Sequence, residues 1–132
     1  MESASWFVPI LPDKVEDWKA FTEQSEARRA EHARSRRRAG ITREVAALVE
    51  TPQGSFTSVF LEADDISRAM KIMLDSDDPY DKWFFEKTQE LHGMTRETFE
   101  APLPTKVYFD YREETVSKPT ERIKEAPYSA QG

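Results

Sequence analysis

The sequence TREVAALVETPQGSFTSVFLE, residues 42–62, predicts a β-hairpin that organises the fold of the whole chain. Two runs rich in β-forming residues flank Pro52-Gln53-Gly54, a short turn that ends in glycine. Both runs carry apolar side chains on both faces, whereas a sheet with one face in water is polar at every second position. Helices of the same chain can cover one face. The other face therefore predicts a second sheet packed against it, contributed by a second copy of the chain.

Before the hairpin, the pattern predicts a strand and one long helix. The apolar run WFVPIL, residues 6–11, is typical of a buried strand, and Asp13 with Glu16 has the spacing of a capping box. A helix is expected from about residue 14 to residue 39, ended by Gly40. Its first half carries an apolar stripe, and the same face becomes polar and basic further along the helix.

After the hairpin, the sequence predicts two helices and a final strand. Asp64-Asp65 can cap a helix over residues 66–75. Asp78 can cap a second helix over residues 79–92, which ends at Gly93 and carries Tyr80 on its inward face. Residues 94–104 are expected to be a connection. The run KVYFDYR, residues 106–112, alternates between apolar and polar side chains and is expected to be the last strand.

This order of elements predicts an α+β fold. Two strand–helix–strand units give a ferredoxin-like, four-stranded antiparallel sheet with helices on one face. Because the second face is also apolar, two copies are expected to pack sheet to sheet as a dimeric α+β barrel. Residues 1–112 are expected to form this domain, and the polar residues 113–132 a C-terminal tail or arm.

Several short motifs resemble those of a known family. The blocks G-I-T-R-E at residues 40–44, T-P-Q-G at 51–54 and S-D-D-P-Y-D-K-W at 76–83 occur in the order seen in a family of small, mostly bacterial domains of unknown function. That family resembles the dimeric α+β-barrel superfamily, whose members place a ligand between sheet and helices. They include cofactor-free monooxygenases, isomerases, polyketide cyclases and haem enzymes. The resemblance implies the fold and transfers no catalytic residue.

Composition excludes several classes of function. A net charge of −6 argues against nucleic-acid binding, and the absence of cysteine excludes disulfides and thiolate chemistry. With only two histidines, no metal site is predicted, and no nucleotide-binding motif occurs, so no cofactor is predicted. Haem held by a lone histidine remains an alternative. No signal peptide or membrane-spanning run is found, so the chain is expected to be cytoplasmic.

The first long helix carries the main candidate site. Ser25, Arg29, His32 and Arg36 follow its apolar stripe and are expected to face a cavity. There His32 would act as the acid–base group, while the two arginines would orient an anionic ligand. The alternative is that the second half of the helix overhangs the sheet and lies in solvent or contacts the partner chain. Ion pairs between its arginines and acidic residues such as Glu44, Glu50 or Glu62, within the chain or across the dimer, are a further use of this basic run.

Other residues complete the predicted site. Trp18 and Trp83 are expected to form apolar walls and Tyr108 to contact the substrate. His92 and Asp110 are alternative acid–base groups, although a histidine at a helix C-terminus is also stabilised by the helix dipole.

The sequence therefore predicts a homodimeric, small-molecule-binding protein. Its ligand would be anionic or aromatic, and any enzymatic activity would be of the cofactor-independent monooxygenase, isomerase or cyclase type. The alternative is a non-catalytic module for assembly or regulation. A cavity with converging polar side chains favours the first hypothesis, and a solid core beneath the first helix favours the second.

Overall fold

The predicted hairpin forms and supplies two of the three strands in the sheet. In the computed structural model, which describes residues 1–113, the strands are β1 (Glu2–Pro9), β2 (Ile41–Thr51) and β3 (Gly54–Ala63). They form one antiparallel sheet in the order β1–β3–β2, so the second strand of the hairpin lies at its centre. Apart from Glu113, the predicted tail lies outside the described residues.

Five helices accompany the sheet in the described part of the chain. They are α1 (Val15–Ala27), α2 (Arg29–Ala39), α3 (Ile66–Leu74), α4 (Pro79–His92) and α5 (Arg96–Glu100). No helix among residues 1–113 is long and apolar enough to cross a membrane.

Most of the predicted helix ends are confirmed. The Asp65 carboxylate accepts a hydrogen bond from the Arg68 amide, and that of Asp78 accepts from the first amides of α4. Gly40 and Gly93 end α2 and α4 in the left-handed conformation that favours glycine. The predicted cap at Asp13 is wrong, because the residue before α1 is Lys14 and no side chain caps that helix.

The single long helix is also wrong, because it is interrupted at Arg28. The backbone there has φ −103° and ψ 32°, which separates α1 from α2. The Arg28 guanidinium lies 4.8 Å from the ring centre of Tyr80 and 4.6 Å from that of Trp83, and it is bonded to Glu31. Tertiary contacts of this kind override helix propensity, which is a weak preference for any one residue.

The predicted fourth strand is wrong. Residues 106–112 form no strand, and Tyr108 and Phe109 are almost fully exposed. The segment is attached near its two ends, where the Thr105 hydroxyl donates to the Ser5 carbonyl and Arg112 pairs with Glu62. Alternation alone does not make a strand, because a strand is stabilised by cross-strand partners that this segment lacks. The α+β class is confirmed, whereas the ferredoxin-like arrangement stays a prediction.

The strand register assigns a face to every side chain of the sheet. On the side covered by helices, Val59 and Leu61 of β3 lie between Trp6 and Ala4 of β1 on one side and Ala46 and Glu44 of β2 on the other. A buried cluster joins this face to α3 through Ala63, Ile66 and Ala69. A second cluster, Ile10, Trp18, Phe21 and Leu91, joins the strand ends to α1 and α4.

The opposite side, here called the open face, carries no helix in the described part of the chain. Its side chains come from alternate positions of the three strands. The apolar ones are Phe7, Val45, Ala47, Val49, Phe56 and Phe60, and the polar ones include Ser58 and, at the end of the sheet beside residues 107–112, Ser3, Ser5, Arg43 and Glu62. Phe7 packs edge-on against Phe56, with ring centres 5.5 Å apart, yet 67% of its surface remains exposed. Both faces of the hairpin are apolar, as predicted. The homodimer expected from that pattern stays a prediction.

Candidate functional site

A cavity of about 720 Å³ lies between the helix-covered side of the sheet and the helices. Its walls are mainly apolar and draw on both buried clusters, with Trp6, Trp18, Phe21, Val59, Leu61 and Phe84 among the lining side chains. Binding sites for small molecules typically have this size and this apolar lining with a few polar groups.

The segment after α4 supplies one part of the wall. Met94, Phe99 and Leu103 line the cavity, and Phe99 packs against Phe85 of α4 with ring centres 4.8 Å apart. The sequence predicted only a connection here, whereas the structure places the short helix α5 within it.

At one end of the cavity, His32 joins β2 to α4. Its Nε2 lies 2.7 Å from a Glu44 carboxylate oxygen, and its Nδ1 lies 2.6 Å from the Tyr80 hydroxyl. Burial raises the pKa of Tyr80, so the phenol stays protonated and can donate to Nδ1. In the neutral imidazole this pattern places the proton on Nε2, which donates to Glu44. Both nitrogens of His32 are therefore occupied by neighbouring side chains.

Arg36 closes the same network. Its guanidinium donates to both Glu44 oxygens at 2.8 and 3.1 Å and to the Ser35 hydroxyl at 2.7 Å, and it lies over the Phe84 ring. Burial of Glu44 raises its pKa, but hydrogen bonds from His32 and Arg36 and the charge of Arg36 outweigh this effect and lower the pKa to about 2. The charge of Arg36 is thus matched by Glu44 inside the protein.

A second buried carboxylate, Asp81, forms a polar cluster between α2 and α4. It accepts hydrogen bonds from the Ser76 hydroxyl at 2.6 Å and from Arg38 at 3.0 Å. Burial alone raises the pKa of this carboxyl, but hydrogen bonds from Ser35, Ser76 and Arg38 outweigh it, so the pKa is lowered. This cluster anchors the start of α4 to the end of α2.

A separate polar pair lies further along the sheet. The Thr57 hydroxyl is 2.7 Å from His92 Nε2, and His92 Nδ1 is 2.9 Å from the Thr88 carbonyl oxygen. Burial lowers the pKa of His92, although the Thr88 carbonyl opposes this effect. Thr57 and His92 both line the cavity, so this pair contributes a neutral polar group to its wall.

The structure brings most of the predicted site residues to the cavity. Six of them line it: Trp18, Ser25, Arg29, His32, Arg36 and His92. Arg29 is largely exposed and paired with Glu26 at 2.6 Å. Trp83 packs instead against Phe21 and Tyr80, outside the cavity.

The two predicted site residues of the final segment lie elsewhere. Tyr108 is 89% exposed, and Asp110 lines a smaller pocket of about 370 Å³ beside the open face. The structure therefore does not bring either residue to His32.

Two residues of the site, Thr57 and Tyr80, were missed from the sequence. Glu44 was expected as one of three possible ion-pair partners of the basic helix end, and it pairs with Arg36. For Thr57 a signal was present, because it is a polar residue of β3 whose neighbour on the same face, Val59, is apolar. Tyr80 was expected to be buried, but nothing in the sequence indicated that its hydroxyl meets a histidine 48 residues away.

The arrangement can bind an uncharged, largely apolar molecule. The network around Glu44 satisfies its own charges, and the remaining walls offer aromatic surface with a neutral polar pair. No group of three or more side chains able to hold a metal ion occurs among residues 1–113.

The chain was also compared with known proteins. No protein-family model matches it, and neither a curated protein nor a solved structure does. The similarity of its motifs to small bacterial α+β-barrel domains therefore stays a prediction. The described part of the chain is an α+β protein with one three-stranded antiparallel sheet. A cavity lies on one side of this sheet, and the open face lies on the other.

Proposed function

We propose that this chain binds a small, uncharged and largely apolar or aromatic molecule in the cavity between sheet and helices. The observation that carries the proposal is the cavity itself, about 720 Å³ with walls that are mainly apolar and partly aromatic. That volume lies within the range of about 300–1,000 Å³ found for sites that hold small ligands. The same observation supports binding over a purely structural module, for which a solid core beneath the first helices was expected.

The charges of the site favour an uncharged ligand over an anionic one. Arg36 is paired with Glu44, and Arg29 with Glu26, so each of the two arginines expected to clamp an anion already has a carboxylate partner. Desolvating a charged ligand without a new ionic partner is unfavourable.

The test is binding of N-phenyl-1-naphthylamine, an uncharged aromatic dye that fluoresces in apolar surroundings. We expect saturable binding of one dye per chain. Ala33 and Ala30 lie on the same helix, but only Ala33 lines the cavity. Ala33→Phe should weaken binding by about tenfold or more, a loss of about 1.4 kcal/mol, because its ring fills ligand space. Ala30→Phe is the matched control and should leave the affinity unchanged. Equal affinities for the two variants would contradict the proposal.

If the bound molecule is also a substrate, we propose a cofactor-independent reaction of the monooxygenase, isomerase or cyclase type. His32 was expected to be the acid–base group, but both of its nitrogens hold protein partners. A ligand would reach either nitrogen only by displacing Tyr80 or Glu44. The geometry therefore favours a structural role for His32, which links Tyr80 to Glu44. If a substrate is found by screening, His32→Ala should retain turnover in proportion to the folded protein that remains.

A homodimer that pairs two open faces completes the proposal. Phe7 and Val49 are exposed on the apolar part of the open face, and burying such a surface is favourable. Light scattering should give twice the chain mass of 15.3 kDa. Val49→Glu, which places a charge on the open face, should shift the protein to monomers, whereas Ala20→Glu on the exposed side of α1 should not. A wild-type monomer would contradict this part of the proposal.

A further inference from the structure

The pair Thr57–His92 is a polar feature of the cavity that lies apart from the network around Glu44. The Thr88 carbonyl can only accept a hydrogen bond, so the proton of the neutral imidazole is on Nδ1 and donates to it across 2.9 Å. Nε2 then carries a lone pair, which accepts the Thr57 hydroxyl proton across 2.7 Å. The tautomer is fixed by the backbone of α4.

Helix capping accounts for only one half of this arrangement. His92 Nδ1 donates to a carbonyl of the last turn, as a histidine at a helix end can, but Nε2 lies against Thr57 of the sheet. A histidine stabilises a helix C-terminus through its positive charge, but burial here favours the neutral ring. Thr57 lies on the central strand, on the face where its cross-strand neighbours are Val8 and Leu48. A polar group at such a position costs free energy unless it is bonded, and an apolar side chain would pack there equally well.

We propose that Thr57 and His92 together bind an uncharged hydroxyl group, alcoholic or phenolic, on the ligand of the cavity. This inference rests on the proposed function. A ligand hydroxyl donates to the lone pair of His92 Nε2, and the Thr57 hydroxyl rotates to donate to the ligand oxygen. Only a group that both donates and accepts satisfies the two partners at once.

Other ligand groups fit the pair less well. A carboxylate cannot donate to Nε2, and an ammonium group cannot accept from Thr57. A carbonyl oxygen accepts from Thr57 but leaves Nε2 without a proton donor, which is costly in an apolar site. Among these groups, an uncharged hydroxyl therefore fits the pair best.

The test compares 4-nitrophenol with 4-nitrotoluene, which has the same ring and nitro group but no hydroxyl. Calorimetry below the ionisation range of the phenol should show tighter binding of 4-nitrophenol. Thr57→Val keeps the shape of the side chain and removes the hydroxyl. It should weaken 4-nitrophenol binding by about five- to tenfold and leave 4-nitrotoluene binding unchanged. Thr57→Ser keeps the hydroxyl and should retain the affinity for 4-nitrophenol.

A second readout uses the colour of the phenolate. Because the pair binds the neutral hydroxyl, wild-type protein should raise the apparent pKa of 4-nitrophenol in an absorbance titration, and Thr57→Val should reduce that rise. Displacement of the phenol by 1-heptanol would extend the site to alcohols, whereas no displacement would restrict it to phenols.

The outcomes separate this inference from the proposed function. If both probes bind wild type and Thr57→Val equally well, the hydroxyl site is overturned while the apolar cavity stands. If neither probe binds the wild-type protein, and N-phenyl-1-naphthylamine does not bind either, both proposals are overturned. Circular dichroism of each variant verifies that the comparison is made between folded proteins.

Discussion

The substitution Glu44→Gln tests the network that joins the helices to the edge of the sheet. Glu44 receives hydrogen bonds from His32 and from Arg36, whose side chain is only 9% exposed. Its pKa falls from 4.5 to about 2, a difference worth about 3 kcal/mol in favour of the ionised, folded state. Removing one partner of a buried ion pair costs about 3–5 kcal/mol, since the other charge is left uncompensated. We therefore expect the free energy of unfolding at pH 7 to fall by about 3 kcal/mol.

The pH dependence gives this prediction its sign. Above pH 4.5 the carboxylate is ionised in both the folded and the unfolded chain, so its full contribution is present. Between pH 4.5 and about 2 the unfolded chain takes up a proton that the folded chain does not. The difference between wild type and variant should therefore shrink by about 1.4 kcal/mol per pH unit as the pH falls through this window.

Urea unfolding at pH 7, 4 and 3, followed by tryptophan fluorescence at one fixed protein concentration, measures the difference. Asp81 and the other carboxylates titrate in both proteins, so their contributions cancel in the comparison. Glu16→Gln is the matched control, because Glu16 is highly exposed and its loss should cost less than about 0.5 kcal/mol. A Glu44→Gln difference that is the same at every pH, or no larger than that of the control, would refute the reasoning.

Two further predictions concern a helix end and the second histidine. Gly93→Ala should lower the free energy of unfolding more than Gly40→Ala, which should itself cost about 1 kcal/mol. Both glycines have positive φ, but only at Gly93 would a Cβ meet a neighbour, Leu11 Cδ2 at 3.2 Å; equal losses in thermal unfolding would contradict this. Because burial lowers the pKa of His92, the stability that its neutral ring contributes is present above pH 6.5 and is lost as the pH falls through the folded-state pKa. Unfolding at pH 7.5 and 5.5 should show a smaller fall for His92→Gln than for wild type, and a fall of equal size would show that His92 is not responsible.

Local signals predicted the elements whose ends are set by the chain itself. The bounds of α4 follow from Asp78, Pro79 and Gly93, whose capping roles depend on backbone geometry and short-range hydrogen bonds. The hairpin followed from its turn and its β-forming runs for the same reason.

The errors occur where distant residues decide. The break at Arg28 depends on Tyr80 and Trp83, which are more than 50 residues away along the chain. Residues 106–112 have the alternation of a strand, but a strand must also pair with the edge of a sheet. No local sequence pattern indicates whether that pairing forms. Both errors thus come from tertiary contacts.

The sequence predicted which face of the helix carries the site, and it named Glu44 only as one of three acidic residues that could pair with the basic helix end. Helical periodicity placed His32 and Arg36 towards the sheet, and both line the cavity. Periodicity carries no information on which residues they contact there. Glu44 on β2 is bonded to Nε2 of His32 and forms an ion pair with Arg36. A basic helix face can therefore bind an anionic ligand or pair with carboxylates of the protein, and the residues of the facing strand decide between the two.

The two polar groups of the sheet serve different purposes because they differ in how completely they are satisfied. Glu44 lies opposite Leu61, and Thr57 lies opposite Leu48, so they are separated by about 13 Å along the strands. At the first position the Glu44 carboxylate bonds both the imidazole of His32 and the guanidinium of Arg36. These groups therefore stabilise the fold and have few hydrogen-bonding positions left for a ligand. At the second, a rotatable hydroxyl and an imidazole lone pair can exchange their mutual bond for two bonds to a ligand. Glu44→Gln should therefore change unfolding and leave 4-nitrophenol affinity almost unchanged. Thr57→Val should lower that affinity, and it also costs stability because it leaves His92 Nε2 without a proton donor. If the two substitutions shift both quantities in the same proportion, the division between a stabilising end and a recognising end is wrong.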